Sequence, residues 1–155
     1  LIELSIALVL SVGILGVLVM AYVTGTRLFT SEMGTSSAFL EANKAMNSLR
    51  TDLRSCLALT NATSTSISFW ADDLNTNSSM EANEIYHYSW NGTPGSPLLR
   101  TAAGSSVMMA KDIRLFSLTY DSGSLASITQ VHIKIAAGTG NNIATLESSV
   151  KLRNI

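Results

Sequence analysis

A single cysteine, Cys56, occurs in 155 residues, so no internal disulfide can form. Any globular part must be held by core packing and strand pairing, or by a bound ion. Proline is almost as scarce. The two prolines are Pro94 and Pro97, and none interrupts residues 1–59. A stretch of that length without a helix breaker can run as one helix. Charge is sparse too. Charged residues make up 14% and the formal net charge is −1, which excludes a broadly basic surface, so no nucleic-acid partner is expected. The chain also lacks G-x-S-x-G, H-E-x-x-H, a P-loop and a glycine-rich dinucleotide turn, the usual carriers of hydrolytic, zinc and nucleotide chemistry. His87 and His132 each stand alone in strand-like segments, and Cys56 has no histidine near it in sequence. Enzyme chemistry is therefore not expected. Cys56 reads as a small buried apolar residue.

What the chain has in excess is one apolar run, LIELSIALVLSVGILGVLVMAYVTGT, at residues 1–26. Glu3 is its one charged residue, and residues 4–26 are uncharged. At about 1.5 Å per residue such a helix spans the roughly 30 Å hydrocarbon core of a bilayer. Arg27 follows, where a headgroup boundary or the edge of an apolar core would lie. No A-x-A cleavage site accompanies the run, so it is expected to be retained. Glu3 is the anomaly. No Lys or Arg lies within one helical turn of it, and an unpaired charge in hydrocarbon costs several kcal/mol. Either its partner comes from outside, such as the α-amino group of a neighbouring chain, or Glu3 lies at the water interface. Gly13 and Gly16 are three apart on nearly one face, which suits close helix contact or local melting as well as it suits a tolerated membrane glycine.

LIEL followed by a long apolar helix resembles the N-terminal segment of type IV pilins and type II secretion pseudopilins. The resemblance implies a class III signal cut by a prepilin peptidase and a methylated N-terminal residue. That family places an aromatic and a small polar residue before LIE, and these are expected ahead of Leu1. Glu3 matches the family glutamate that meets the N-terminal amine of an adjacent subunit during assembly. The implied partners are copies of this chain or other pilins, membrane lipid before assembly, and the pilus assembly machinery. The implied location is the inner membrane, then an extracellular filament on the cell surface. Many pilins close a C-terminal loop with a disulfide, which this chain cannot do. The closing VKLRN and nearby segments loosely resemble the globular domain of J-type pseudopilins and W-type minor pilins.

Over residues 27–59 uniform apolarity gives way to periodicity. Phe39, Ala42, Met46, Leu49, Leu53 and Cys56 recur at spacings of three and four, one stripe of an amphipathic helix. Glu41, Lys44, Asn47, Arg50, Asp52 and Arg54 take the other faces. Gly, Ser and Thr cluster around residues 25–37 and mark a weaker region. Continuous, the helix would be about 90 Å long. After residue 60 the signals are strands at 65–71, 84–90, 98–101, 113–120, 129–136 and 143–152, separated by NGTPGSP, AAGSS, DSGS and GTGNN. Short turns between consecutive strands predict an antiparallel meander, and no strand–helix–strand alternation points to a nucleotide-binding fold. The expected fold is α+β. An apolar stem at 1–26 and an amphipathic half at 27–59 precede an antiparallel sheet domain at 60–155.

Two weaker patterns remain. Counting from Asp73, residues Asn75, Asn77, Ser79, Glu81 and Glu84 fall at positions three, five, seven, nine and twelve of a calcium loop. Ser78 stands where that loop needs glycine, and the flanks read as strands, so a solvated hairpin loop is the plainer reading. Asn61, Asn77 and Asn91 begin N-x-[S/T] sequons, which are glycosylation acceptors only where the source glycosylates its surface proteins. Trp70, Tyr86, Tyr88 and Trp90 suit either cross-strand core pairing or a recognition patch.

Overall fold

The computed structural model describes residues 2–71, 77 and 79–152. The chain divides into two compact units, Leu1–Gly34 and Thr35–Ile155. Helix α1 covers Ile2–Arg54, and the cluster of Gly, Ser and Thr at residues 25–37 is helical throughout. Hydroxyls there do not compete with the helix but bond back to it: Thr26 Oγ1 donates to Val23 O at 3.0 Å and Thr30 Oγ1 to Thr26 O at 2.8 Å.

In the second unit α1 ends at Arg54, short of residue 59. The last turn tightens, with Ser55 N donating to Asp52 O at 3.2 Å and Cys56 N to Leu53 O at 3.3 Å. Leu57 N then bonds Trp70 O at 2.8 Å. Residues 58–62 become a strand, because a pairing partner is already on hand: Ala58 faces Trp70 and Leu59 faces Phe69.

Seven strands follow among the described residues: β1 Ala58–Ala62, β2 Ser66–Trp70, β3 Ile85–Ser89, β4 Ser96–Ala102, β5 Ser105–Tyr120, β6 Gln130–Thr139 and β7 Asn142–Lys151. They form one sheet in sequence order, every pair antiparallel. The meander expected from the turn signals is the observed topology. Two-residue turns set it locally. Ala103 and Gly104 both have positive φ, 50° and 77°, the conformation that matches strand twist in a tight hairpin.

The buried stripe of α1 in this unit is Ala38, Ala42, Ala45, Met46, Leu49 and Leu53, continued by Cys56. Phe39, expected in that stripe, is 48% exposed, and Ala38 takes its place. The reason is close approach: a Cβ on Gly138 of β6 would lie 3.0 Å from Ala38 Cβ, too tight for a phenyl ring. Sheet residues Ile67, Phe69, Tyr88, Leu98, Ile113, Phe116, Leu118, Val131, Ile133 and Ile135 complete the core. In β5 strict alternation fails. Ile113 and Phe116 are buried while Leu115 is exposed, because the pairing with β6 shifts register between Ile113 and Leu115 and one extra residue reverses the facing. Beyond Ile113, β5 has no pairing with β4. There the β1–β2 turn covers it, with Leu118 N bonded to Ser64 O at 2.8 Å and Tyr120 Oη to Thr63 O at 2.7 Å.

Candidate membrane stem and polar sites of the sheet

Among the described residues of 2–33 every residue is exposed, and most are apolar. Ile2, Val9, Val17, Met20 and Tyr22 are each more than two-thirds exposed. Among the described residues α1 is the one helix long and apolar enough to cross a membrane. Its polar atoms suit that setting. Ser11 Oγ donates to Ala7 O at 2.8 Å, as Thr26 and Thr30 do to their own upstream carbonyls, so these hydroxyls carry no unmet donor into hydrocarbon. Glu3 lies exposed in the first turn, where the free amides and positive end of the helix dipole favour an anion. Gly13 and Gly16 have open space where a side chain would be. They leave two shallow places on the stem surface that another helix could enter.

The calcium-loop positions divide. Asp73 and Asn75 lie outside the described residues. Asn77 Oδ1 accepts from Ser79 N at 2.8 Å and its Nδ2 donates to Glu81 Oε1 at 3.0 Å. Glu84 is 1% exposed. Its Oε2 accepts from Trp70 Nε1 at 3.1 Å and from Glu81 N at 3.3 Å, and Glu81 with Glu84 forms a capping box on the 3-10 turn Ala82–Glu84. Glu84 thus anchors an indole and a turn, and a cation would have to compete with both. No cluster of three His, Cys, Asp or Glu side chains occurs among the described residues. The sequon residues Asn61, Asn77 and Asn91 are all exposed, and Asn91 Oδ1 accepts from Thr93 N at 2.9 Å.

Tyr88 and Trp90 lie in the core and Tyr86 packs against it, while Trp70 is half-buried. Phe69 stacks on Tyr88 at 6.3 Å and meets Tyr86 edge-on at 6.1 Å. The two histidines pair across strands with serines: His87 Nδ1 with Ser68 Oγ at 2.7 Å, and His132 Nδ1 with Ser149 Oγ at 2.6 Å. A groove of about 520 Å³ on the outer face of β5, β6 and β7 is lined by Ser117, Thr119, His132, Lys134, Glu147 and Ser149. Lys134 Nζ and Glu147 Oε1 close an ion pair across it at 2.7 Å. Cys56 is fully buried, and burial raises its thiol pKa to about 11.

One constellation is not legible in the chain. Asp52 on α1 accepts from Tyr88 Oη at 2.7 Å and from Arg100 Nη1 at 3.1 Å, and Arg100 lies over the Tyr86 ring at 5.0 Å. These bonds tie helix to sheet. Burial first, then the bond and charge of Asp52, push the Tyr88 phenol well above its ordinary pKa. The partners are 36 and 48 residues apart, so no local pattern announces them.

No protein-family model matches this chain, and no curated protein matches it.

Proposed function

We propose that this chain is a structural subunit of a type IV pilin-like extracellular filament, held in the inner membrane by its apolar helix until assembly. The observation that carries this reading is the apolar surface of the stem and how far it continues. The 23 uncharged residues at 4–26 already cover about 34 Å, enough for a bilayer. Beyond Arg27, Leu28, Phe29 and Met33 are still 62%, 65% and 59% exposed. A lone anchored protein would leave that surface in water. Copies packed side by side would bury it.

In this reading the role is mechanical. Glu3 at the helix start meets the terminal amine of a neighbouring copy as stems leave lipid and bundle, and Gly13 and Gly16 admit close approach. The sheet units form the outer shell. Before assembly the partners are lipid, a prepilin peptidase and the assembly machinery. The reading needs neither cofactor nor enzymatic step. A minor pilin or pseudopilin of a secretion or tip complex would use the same stem. A monomeric membrane-anchored adhesin would share it without needing Glu3 paired.

The test is Glu3→Gln and Glu3→Ala in the full chain, with surface filaments counted by electron microscopy. We expect filament number to fall several-fold while fluorescence of Trp70 and Trp90 stays native, both tryptophans lying in the second unit. Unchanged filament number in both variants refutes the reading. A detergent-solubilised chain that stays monomeric, with no polymer in sheared surface material, favours the anchored module.

A further inference from the structure

The two edges of the sheet are not alike. β1 is five residues long, carries a register shift between Leu59 and Asn61, and lies beside the 3-10 turn Leu125–Ser127. It is short, irregular and flanked, as protected edges are. β7 is ten residues long and pairs with β6 in unbroken register from Lys151 to Asn142. It contains no proline or glycine, and no strand lies on its other side among the described residues. A long, regular, uncovered edge is a template for another strand.

The backbone shows which groups face outward. Leu152 N donates to Thr129 O, so even-numbered amides of this stretch point to β6 and those of 147, 149 and 151 point away. Glu147, Ser149 and Lys151 also place their side chains on the exposed face, while Val150 and Leu152 are buried and Leu146 is half-buried. An added strand must keep the apolar face continuous, which restricts it to registers pairing odd residues with odd.

We propose that β7 pairs antiparallel with β7 of a second copy about a two-fold axis centred on Ser149. In that register Glu147 of each copy faces Lys151 of the other, giving two opposite-charge pairs. Leu146 faces Leu152, and Ser148 faces Val150, on the apolar side. Centring the axis on residue 147 would oppose two glutamates, and centring it on 148 would place each charge against a neutral side chain. Charge complementarity therefore selects one register. The axis runs along the sheet normal and reverses strand direction. The partner's α1 segment at 35–54, packed on the same sheet, runs the opposite way. The contact thus joins copies of opposite polarity and is distinct from the stem packing proposed above.

The experiment uses the full chain in detergent. Single-cysteine additions Ser149→Cys, Ser148→Cys and Thr145→Cys are oxidised and covalent dimer is measured by gel, the native Cys56 being buried. Paired residues across an antiparallel contact lie within disulfide reach. We expect Ser149→Cys to dimerise at least about fivefold faster than the other two. Adding Glu147→Lys should slow that dimer about tenfold, since both pairs become like-charged. Adding Lys151→Glu as well should restore it. Equal rates at the three positions would mean contact through the stem alone and would overturn the proposal. So would a Ser149→Cys dimer indifferent to the charge changes. Neither result bears on the Glu3 filament test.

Discussion

Replacing Asp52 with alanine removes the acceptor that joins helix to sheet. Two donors lose their partner. The Tyr88 hydroxyl belongs to a residue with no exposed surface, so stranding it costs about 1–3 kcal/mol. Arg100 keeps access to water at 30% side-chain exposure, so its share is discounted to about 1 kcal/mol or less. The sum is about 1–4 kcal/mol. For a unit of this size that lowers the midpoint by about 4–15 °C. Tyr88→Phe removes the donor along with the need for it, and Asp52 keeps Arg100, so it should cost only about 1 kcal/mol. The double variant should then be milder than the sum of the singles by about 1 kcal/mol or more. Both tryptophans lie in the second unit, so fluorescence of the detergent-solubilised chain during heating or urea unfolding reads this unit alone. An Asp52→Ala variant within about 0.5 kcal/mol of the parent, or strict additivity in the cycle, would refute the argument.

Two further outcomes follow from packing and burial. Gly138→Ala should destabilise the second unit by about 2–3 kcal/mol, since its φ is +131° and a Cβ there would meet Asn142 O and press on Ala38; a urea midpoint matching the parent would contradict this. Tyr120, like Tyr88, is held by burial well above the ordinary phenol pKa. The unfolded chain therefore releases these protons from about pH 10 while the folded chain keeps them. Stability contributed by the two phenols is complete below that pH and falls as pH rises above it. Absorbance titration should show two of the four tyrosines ionising only as the tryptophan signal reports unfolding.

The sheet was readable because its strands alternate and its turns carry Gly, Asn and Ser, which act through neighbours two to four residues away. Reading failed where distant contacts decide. Residues 58–59 continue a helical stretch in sequence, yet β2 captures them. Phe39 fits the apolar spacing, yet Gly138 and Ala38 bring the backbones too close to seat it. The face of Leu115 depends on one extra residue opposite Ala136 and Ala137, which no periodicity within β5 reveals. The stem was legible for the opposite reason, since membrane compatibility is a property of composition and length. The role of Glu84 was not, because its partner Trp70 stands 14 residues away.

The order of the sheet has a kinetic consequence. Each strand finds its partner in the segment made just before or just after it, so closure distances are short and pairing can advance as the chain emerges. The contacts of Ser64 with Leu118 and of Thr63 with Tyr120, more than fifty residues apart, are among the exceptions. They bring the first turn back onto a strand synthesised much later. Until β5 exists that turn has nothing to rest on, so its docking waits for five of the seven strands.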